Sequence, residues 1–359
     1  MNKPIRPWQR CIVIGLAAAA LVLPFANMQT AHAKAKVEGF DIVAHRGGRA
    51  ARAENTLYAF AYAMEVGVST IELDLQLTKD GKLAVSHNAF LHQELVKDAT
   101  GAYVQDRVHD IRTMTLDELR QFDIGTMNPS AGKYYNDFGV SQIPMAGARI
   151  PSLEEVFDLI GSYGDKKVIV NIELKSYADP RLPEYNNNPD PEIFVKKVLA
   201  VIKHYQMQDR VVVQSFDWKP VKILRELDPT ITVAALSYKS TLKAGATQPS
   251  PWLAGLNIND YHGDYIKAVI ELGADMSTPE YKEVSPELVA EAHALGIRII
   301  PWTVNAPADM EQLIDMGVDG IITDKPQLLR EVLNRRGLPV PEPVVNIHSP
   351  YHTGVDLNR

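Results

Sequence analysis

The sequence predicts an α/β protein, a TIM (β/α)8 barrel with a small cap inserted after the second strand. Three observations carry this. Eight apolar, strand-like runs recur between residues 41 and 324, helix-patterned sequence follows most of them, and one connection, after residue 87, exceeds sixty residues. Eight strands alternating with helices is the count of such a barrel. An open doubly wound sheet has the same βαβα order, and order alone does not separate the two.

The strands are expected at residues 42–45, 70–77, 168–174, 211–215, 231–236, 274–277, 297–304 and 320–323. Helical patterns lie at 56–65, 153–160, 192–205, 220–227, 286–295 and 307–316. Two of them open on recognisable caps: Ser152 with Glu155 three residues on, and Ser285 ahead of Pro286. A βα connection is normally a few residues long. The stretch from about 88 to 150, with a helical piece near 115–121 and a part rich in Gly, Pro and Tyr, therefore reads as the cap. The barrel domain spans 34–330. The tail, 331–359, is punctuated by Pro339, Pro341, Pro343 and Pro350 and is expected to strap the surface.

The first 33 residues read as a signal peptide. Lys3, Arg6 and Arg10 precede an apolar, alanine-rich run, and Ala31-His32-Ala33 offers a small-x-small cleavage site. The run is short for a membrane span. A periplasmic protein without stable membrane association is the expectation. Cys11 is the only cysteine, so the mature chain would hold no disulfide and no thiol nucleophile. Losing three cations and no acids takes the net charge from -7 to -10, which disfavours nucleic acid or an anionic membrane surface as a partner. Nothing in the sequence speaks to oligomeric state.

Side chains alternate faces along a strand. In TIELDLQLT, Ile71, Leu73, Leu75 and Leu77 share one face, and Glu72, Asp74 and Gln76 the other. In VIVNIELKS, Val168, Val170, Ile172 and Leu174 oppose Asn171, Glu173 and Lys175. The face beneath the helices must be apolar, so the polar sets point inward, toward the C-terminal ends where barrel active sites lie. Glu72, Asp74 and Glu173 would repel one another without a cation among them. An all-oxygen set suits Ca²⁺ or Mg²⁺ better than zinc. A simple Glu173–Lys175 ion pair is the plainer alternative.

His45 ends the first strand, and His87 ends the run Lys82-Leu83-Ala84-Val85-Ser86. Two histidines at the ends of consecutive strands beside a metal fit an acid/base pair. Arg46 supplies a fixed fork of donors suited to phosphate. Gly47 and Gly48 allow either backbone approach to an anion or a tight turn.

In sequence order, HRG, ENT, ELDLQLTKDG, a strand ending in His87, IELKS, QSFDW, PWTVN and GVDGIITDKP resemble the glycerophosphodiester phosphodiesterases, over about residues 42–329. The resemblance implies a TIM barrel with a cap after the second strand. It assigns His45 and His87 as general acid/base residues, and Glu72, Asp74 and Glu173 as ligands of one divalent cation; outside the cytoplasm, where it is the more available, Ca²⁺ is preferred, and Mg²⁺ is possible with the same ligands. It further implies phosphate contacts from Arg46 and Lys175, a pocket-lining role for Trp302, and small-molecule glycerophosphodiester substrates. Glu54 is expected to buttress the histidine loop while favouring the following helix, and Asp324 and Lys325 to close the barrel or shape its rim. Asn88 departs from the family's usual Asp, and Ala53 stands where proline is common. The rival readings are a lysophospholipase D-like or sphingomyelinase D-like enzyme with an apolar groove from Phe90, Tyr103 and Tyr134, a glycosidase using Glu72 and Glu173, and a secreted binding protein on a retired barrel.

Overall fold

The protein's computed structural model describes Met1 and residues 34–355; the expected signal peptide lies almost wholly outside the described residues. Among the described residues, nine strands form one sheet: β1 Asp41–Ala44, β2 Thr70–Leu77, β3 Leu83–Val85, β4 Ile169–Leu174, β5 Val211–Ser215, β6 Thr232–Ser237, β7 Met276–Pro279, β8 Arg298–Ile299 and β9 Gly320–Thr323. Eight of them run parallel in the order β8-β7-β6-β5-β4-β2-β1-β9. β8 and β9 meet through Asp319 N–H to Ile299 O (2.9 Å) and Ile322 N–H to Pro301 O (3.0 Å), which brings the barrel round on itself. An open doubly wound sheet is thereby excluded.

Parity sorts the side chains as expected. Ile71, Leu73, Leu75, Val170, Ile172 and Leu174 pack outward with Phe60, Phe157 and Phe194 of the surrounding helices. Val43, Ile169, Val212, Met276, Ile300 and Ile322 fill the barrel interior beneath the site. The helices start where their caps direct: Ser152 and Glu155 form a capping box on Leu153–Tyr163, Ser285 accepts from Leu288 N–H, and Thr56 accepts from Ala59 N–H at the head of Leu57–Val66.

β3 is not a barrel strand. It folds back antiparallel on β2, pairing Leu83 with Leu77 and Val85 with Leu75, and Ser86 N–H then bonds Asp74 O at 2.9 Å. The hairpin thus lowers His87 to the level of Asp74 instead of leaving it at the end of a neighbouring parallel strand. The insert that follows has its own core of Leu91, Leu95, Ile111, Leu119, Phe122 and Phe138, joined by Ala50 and Ala53 from the barrel.

The last helix runs Pro326–Arg335, five residues past the expected end of the barrel domain. The chain beyond lies over Leu57–Val66. Val344 N–H bonds Met64 O (2.9 Å), and buried Glu65 accepts from Thr353 N–H (3.0 Å) with His352 Nδ1 2.8 Å away. Among the described residues no helix is long and apolar enough to cross a membrane.

Candidate active site

A cavity of about 170 Å³ opens at the C-terminal end of the barrel. His45, Arg46, Glu72, His87, Glu173, Lys175 and Trp302 all line it. Asp74, the remaining expected site residue, is fully buried just behind the wall.

Strand register builds the acidic part. β2 and β4 pair Asp74 with Glu173 and Glu72 with Asn171, so three carboxylates converge from two adjacent strands. One oxygen from each lies within 4.8 Å of the others. Burial, then the repulsion of Asp74 and Glu173, raises the Glu72 pKa well above the ordinary carboxylate value. Burial also dominates at Glu173, pushing it up to about 7 despite Lys175. Burial would raise Asp74 too, but Lys175 and Arg46 outweigh it and hold Asp74 well below normal. Lys175 Nζ sits 2.6 Å from Glu173 Oε1 and 3.0 Å from Asp74 Oδ1. The Glu173–Lys175 pair is therefore real, yet it does not satisfy the cluster, because Asp74 Oδ1 is buried without a well-aligned hydrogen bond. Glu54, Glu72, Asp74, Glu173 and Asp324 stand against three permanent cations, Arg46, Arg49 and Lys175. With every one of these carboxylates ionised, two negative charges would be in excess, the charge of one divalent ion, and the raised pKa values of Glu72 and Glu173 are the response to burial and to that excess when no cation balances it. A buried, all-oxygen donor set with that excess fits a hard cation.

The HRG turn and the ENT segment interlock. Arg46 (φ 52°), Gly47 (φ 82°) and Gly48 (φ 93°) reverse the chain. A Cβ on Gly47 would meet Ala59 at 2.7 Å, and Arg46 N–H already donates to Glu72 Oε2 at 2.8 Å. Of the two roles expected for the glycines, the tight turn is the one this geometry requires. Arg46 Nη1 donates to Glu54 Oε1 (2.9 Å), and its Nε lies 3.3 Å from Asp74 Oδ2. Asn55, at φ 56°, donates to Asp74 Oδ2 at 2.8 Å, and Thr56 caps the helix. Glu54 buttresses the loop through Arg46, and also through Arg49 (3.5 Å) and the Tyr134 hydroxyl of the cap; it does not cap the helix, a task that falls to the shorter Thr56.

Asp324 corrects the sequence reading more substantially. The β1–β9 register pairs Ala44 with Thr323, which sets the next residues, His45 and Asp324, side by side. Asp324 Oδ1 is 2.6 Å from His45 Nδ1 and 2.7 Å from Arg49 Nε, and Asn305 Nδ2 donates to its Oδ2 at 2.6 Å. Burial opposes ionisation of Asp324, but His45 and Arg49 overcome it and keep its pKa far below normal. An ionised carboxylate only accepts, so His45 Nδ1 carries the proton and Nε2 is left to exchange one. Asp324 is thus the partner of a candidate proton-transfer residue. Only its position just past the last strand, beside the first, could have revealed this. Lys325 stays exposed at the rim.

His87 has a different partner. Its Nδ1 lies 2.7 Å from Asn88 Oδ1, an uncharged oxygen where the family's usual Asp would place a carboxylate. Burial lowers the His87 pKa, and Arg46 and Lys175 push it further, well below normal; His45 is lowered by burial but partly restored by Asp324.

Trp302 donates from Nε1 to Thr278 O (2.9 Å) and meets Phe216 edge-on at 5.2 Å; Tyr238 extends this aromatic wall, 5.5 Å from Phe216. Phe216 lies in QSFDW, whereas nothing around Tyr238 signals its place. The groove expected from Phe90, Tyr103 and Tyr134 does not assemble: Phe90 lines a neighbouring cavity, Tyr103 donates to Met127 O (3.0 Å), and Tyr134 turns to Glu54.

Residues 45–328 match the profile of the "Glycerophosphoryl diester phosphodiesterase family". The chain is 34% identical to a glycerophosphodiester phosphodiesterase of Caldanaerobacter subterraneus, over 82% of this chain and 98% of that one. It is 32% identical to one of Bacillus altitudinis, over 79% and 94%. A crystal structure from Silicibacter pomeroyi, described as a glycerophosphoryl diester phosphodiesterase, superposes with a TM-score of 0.73 at 31% identity, over 85% of this chain and 97% of that one. With a sequence match spanning barrel and cap alike, the chain belongs to the glycerophosphoryl diester phosphodiesterase family, whose members are phosphoric diester hydrolases.

Proposed function

We propose that the protein is a periplasmic, metal-dependent hydrolase of glycerophosphodiesters such as glycerophosphocholine or glycerophosphoethanolamine, releasing the alcohol and sn-glycerol 3-phosphate. The observation that carries this is the convergence of two histidines, two phosphate-suited cations and a three-carboxylate cluster on one cavity. Glu72, Asp74 and Glu173 would hold the cation, with Ca²⁺ preferred because it is the more available outside the cytoplasm, and Mg²⁺ compatible with the same donors. When bound, the cation neutralises phosphate charge and eases ionisation of the attacking hydroxyl.

Arg46 and Lys175 orient the phosphate and balance the charge that builds in the transition state. One histidine takes the proton of the nucleophile, which is either water, giving glycerol 3-phosphate directly, or the glycerol 2-hydroxyl, giving a cyclic phosphate that a water then opens to glycerol 3-phosphate. The other gives a proton to the departing alcohol oxygen as its bond to phosphorus breaks. Asp324 holds His45 with Nε2 available for this, and Asn88 does the same for His87. Trp302, Phe216 and Tyr238 supply an apolar wall for the glycerol carbons and keep water away from that side.

The test is turnover of glycerophosphocholine by residues 34–359 with Ca²⁺, with Mg²⁺ and with EDTA, assaying choline and glycerol 3-phosphate separately. Metal-dependent appearance of both is expected. Release of phosphocholine and glycerol, or no turnover by folded protein, would overturn the proposal.

A further inference from the structure

Beside the catalytic cavity lies a second one, of about 210 Å³, between the cap and the segment after β4. The two are lined by neighbouring residues of the same segments, His87 and Lys175 in the first and Asn88 and Tyr177 in the second. Asn88, whose amide oxygen faces His87, lines the second cavity, and so does Tyr177, two residues beyond Lys175. A diester whose phosphate rests at Arg46 and Lys175 has two arms. The aromatic wall of the first cavity suits the glycerol arm, which leaves the second cavity for the alcohol that departs past His87.

The chemistry of the second cavity is selective. Its lining includes Phe90, Tyr177 and the carboxylates of Glu94, Asp106 and Glu184, with Arg107 as the one permanent cation among the lining residues; the Tyr177 ring is already covered by the Arg112 guanidinium, 5.6 Å from its centroid, which leaves Phe90 as the aromatic face in question. Arg107 lies over the Phe90 ring, its guanidinium carbon 5.5 Å from the centroid, and its Nη1 donates to Glu184 Oε1 at 3.1 Å. An aromatic face with a carboxylate beside it is the arrangement that receives an organic cation. The Arg107 side chain is 59% exposed, against 16% for Glu184, so it reaches in from solvent and needs little rearrangement to leave.

We infer that this cavity is the head-group site, that it selects cationic alcohols of the choline and ethanolamine class, and that Arg107 is a resident surrogate cation which the substrate's ammonium group displaces. The inference rests on the proposed diesterase activity and adds a specificity to it. Displacement exchanges one cation for another against Phe90 and Glu184, so charge stays balanced. A neutral head group gains nothing from Glu184 and leaves the Arg107–Glu184 pair in place. Glu184 is itself held from behind, because Arg112 Nη1 donates to its carbonyl at 3.1 Å, and the pocket therefore exists before substrate arrives.

The experiment compares kcat/KM for glycerophosphocholine with kcat/KM for glycerophosphoglycerol in the wild type, Arg107→Ala and Glu184→Gln. The ratio of choline to glycerol substrate is expected to exceed one in the wild type. It should rise about fivefold in Arg107→Ala, where the competitor is gone, and fall about fivefold in Glu184→Gln, where the acceptor charge is gone. A ratio unmoved by both substitutions, or moved the same way by both, overturns the inference while leaving the diesterase intact. Hydrolysis of neither substrate overturns the diesterase reading and this one with it.

Discussion

Asp324→Asn is the sharpest probe of the site, because it changes one charge and almost no volume. Asp324 Oδ1 lies 2.6 Å from His45 Nδ1, and the carboxylate is buried. A hydrogen bond between a buried carboxylate and a ring that becomes cationic during turnover contributes about 1.5–3 kcal/mol. At 1.4 kcal/mol per decade, the chemical step should slow roughly 10- to 150-fold. An amide nitrogen turned toward His45 would also favour the tautomer with hydrogen on Nε2, which cannot accept a proton there. The substrate is not touched, so kcat should carry the loss and KM should change little. A separate structural cost arises because Arg49 loses half of its charge pairing, keeping only Glu54 at 3.5 Å. That cost appears in Tm and does not by itself move the pH profile. The assay is therefore kcat, KM and pH profile for release of glycerol 3-phosphate, beside thermal unfolding. Full kcat with an unchanged pH profile would refute the assignment of Asp324 as the positioning partner of His45.

Cation affinity should fall with acid. Glu72 and Glu173 have raised pKa values in the cation-free protein, Glu173 near 7, so at lower pH a cation must first displace protons. Below about pH 7, affinity should weaken by up to ~1.4 kcal/mol per pH unit for each displaced proton. Calorimetric titration with Ca²⁺ at pH 6 and pH 8 in buffers of different ionisation heat counts those protons, and pH-independent binding would contradict the carboxylate cluster as the site. The linkage for Asp324 has the opposite sign. Its folded pKa is depressed, so its stabilising contribution is complete above the unfolded value near 4 and fades as pH falls below that toward the folded one. His87→Ala should abolish turnover while the circular dichroism spectrum and Tm stay close to wild type; an active variant would remove His87 from the mechanism. Gly47→Ala should cost about 3 kcal/mol, from a non-glycine residue at φ 82° and a Cβ 2.7 Å from Ala59. A melting temperature unchanged by that substitution would show that the turn relaxes freely.

How far the sequence reaches depends on the range of the physical signal. Period-two alternation is local, so it alone orients Glu72, Asp74 and Glu173 inward and the leucines of β2 outward. Caps are local as well, and Ser152–Glu155 and Ser285 mark helix starts that the fold keeps. The cap's existence follows from loop length, and its seat on the loop at 49–54 does not. The hairpin that returns His87 beside Asp74 cannot be told from a parallel strand by a three-residue apolar run, because pairing direction is a tertiary property.

The same holds for the partnerships that tune the site. His45 and Asp324 are 279 positions apart, and Glu54 and Tyr134 are 80 apart. Arg107 and Glu184 belong to different excursions from the barrel. What the chain determines by itself is which side chains face the axis, through the alternation written into each strand. Which of them become partners is decided only when the barrel closes, because closure makes the first and last strands neighbours and folds the cap over the loop at 49–54.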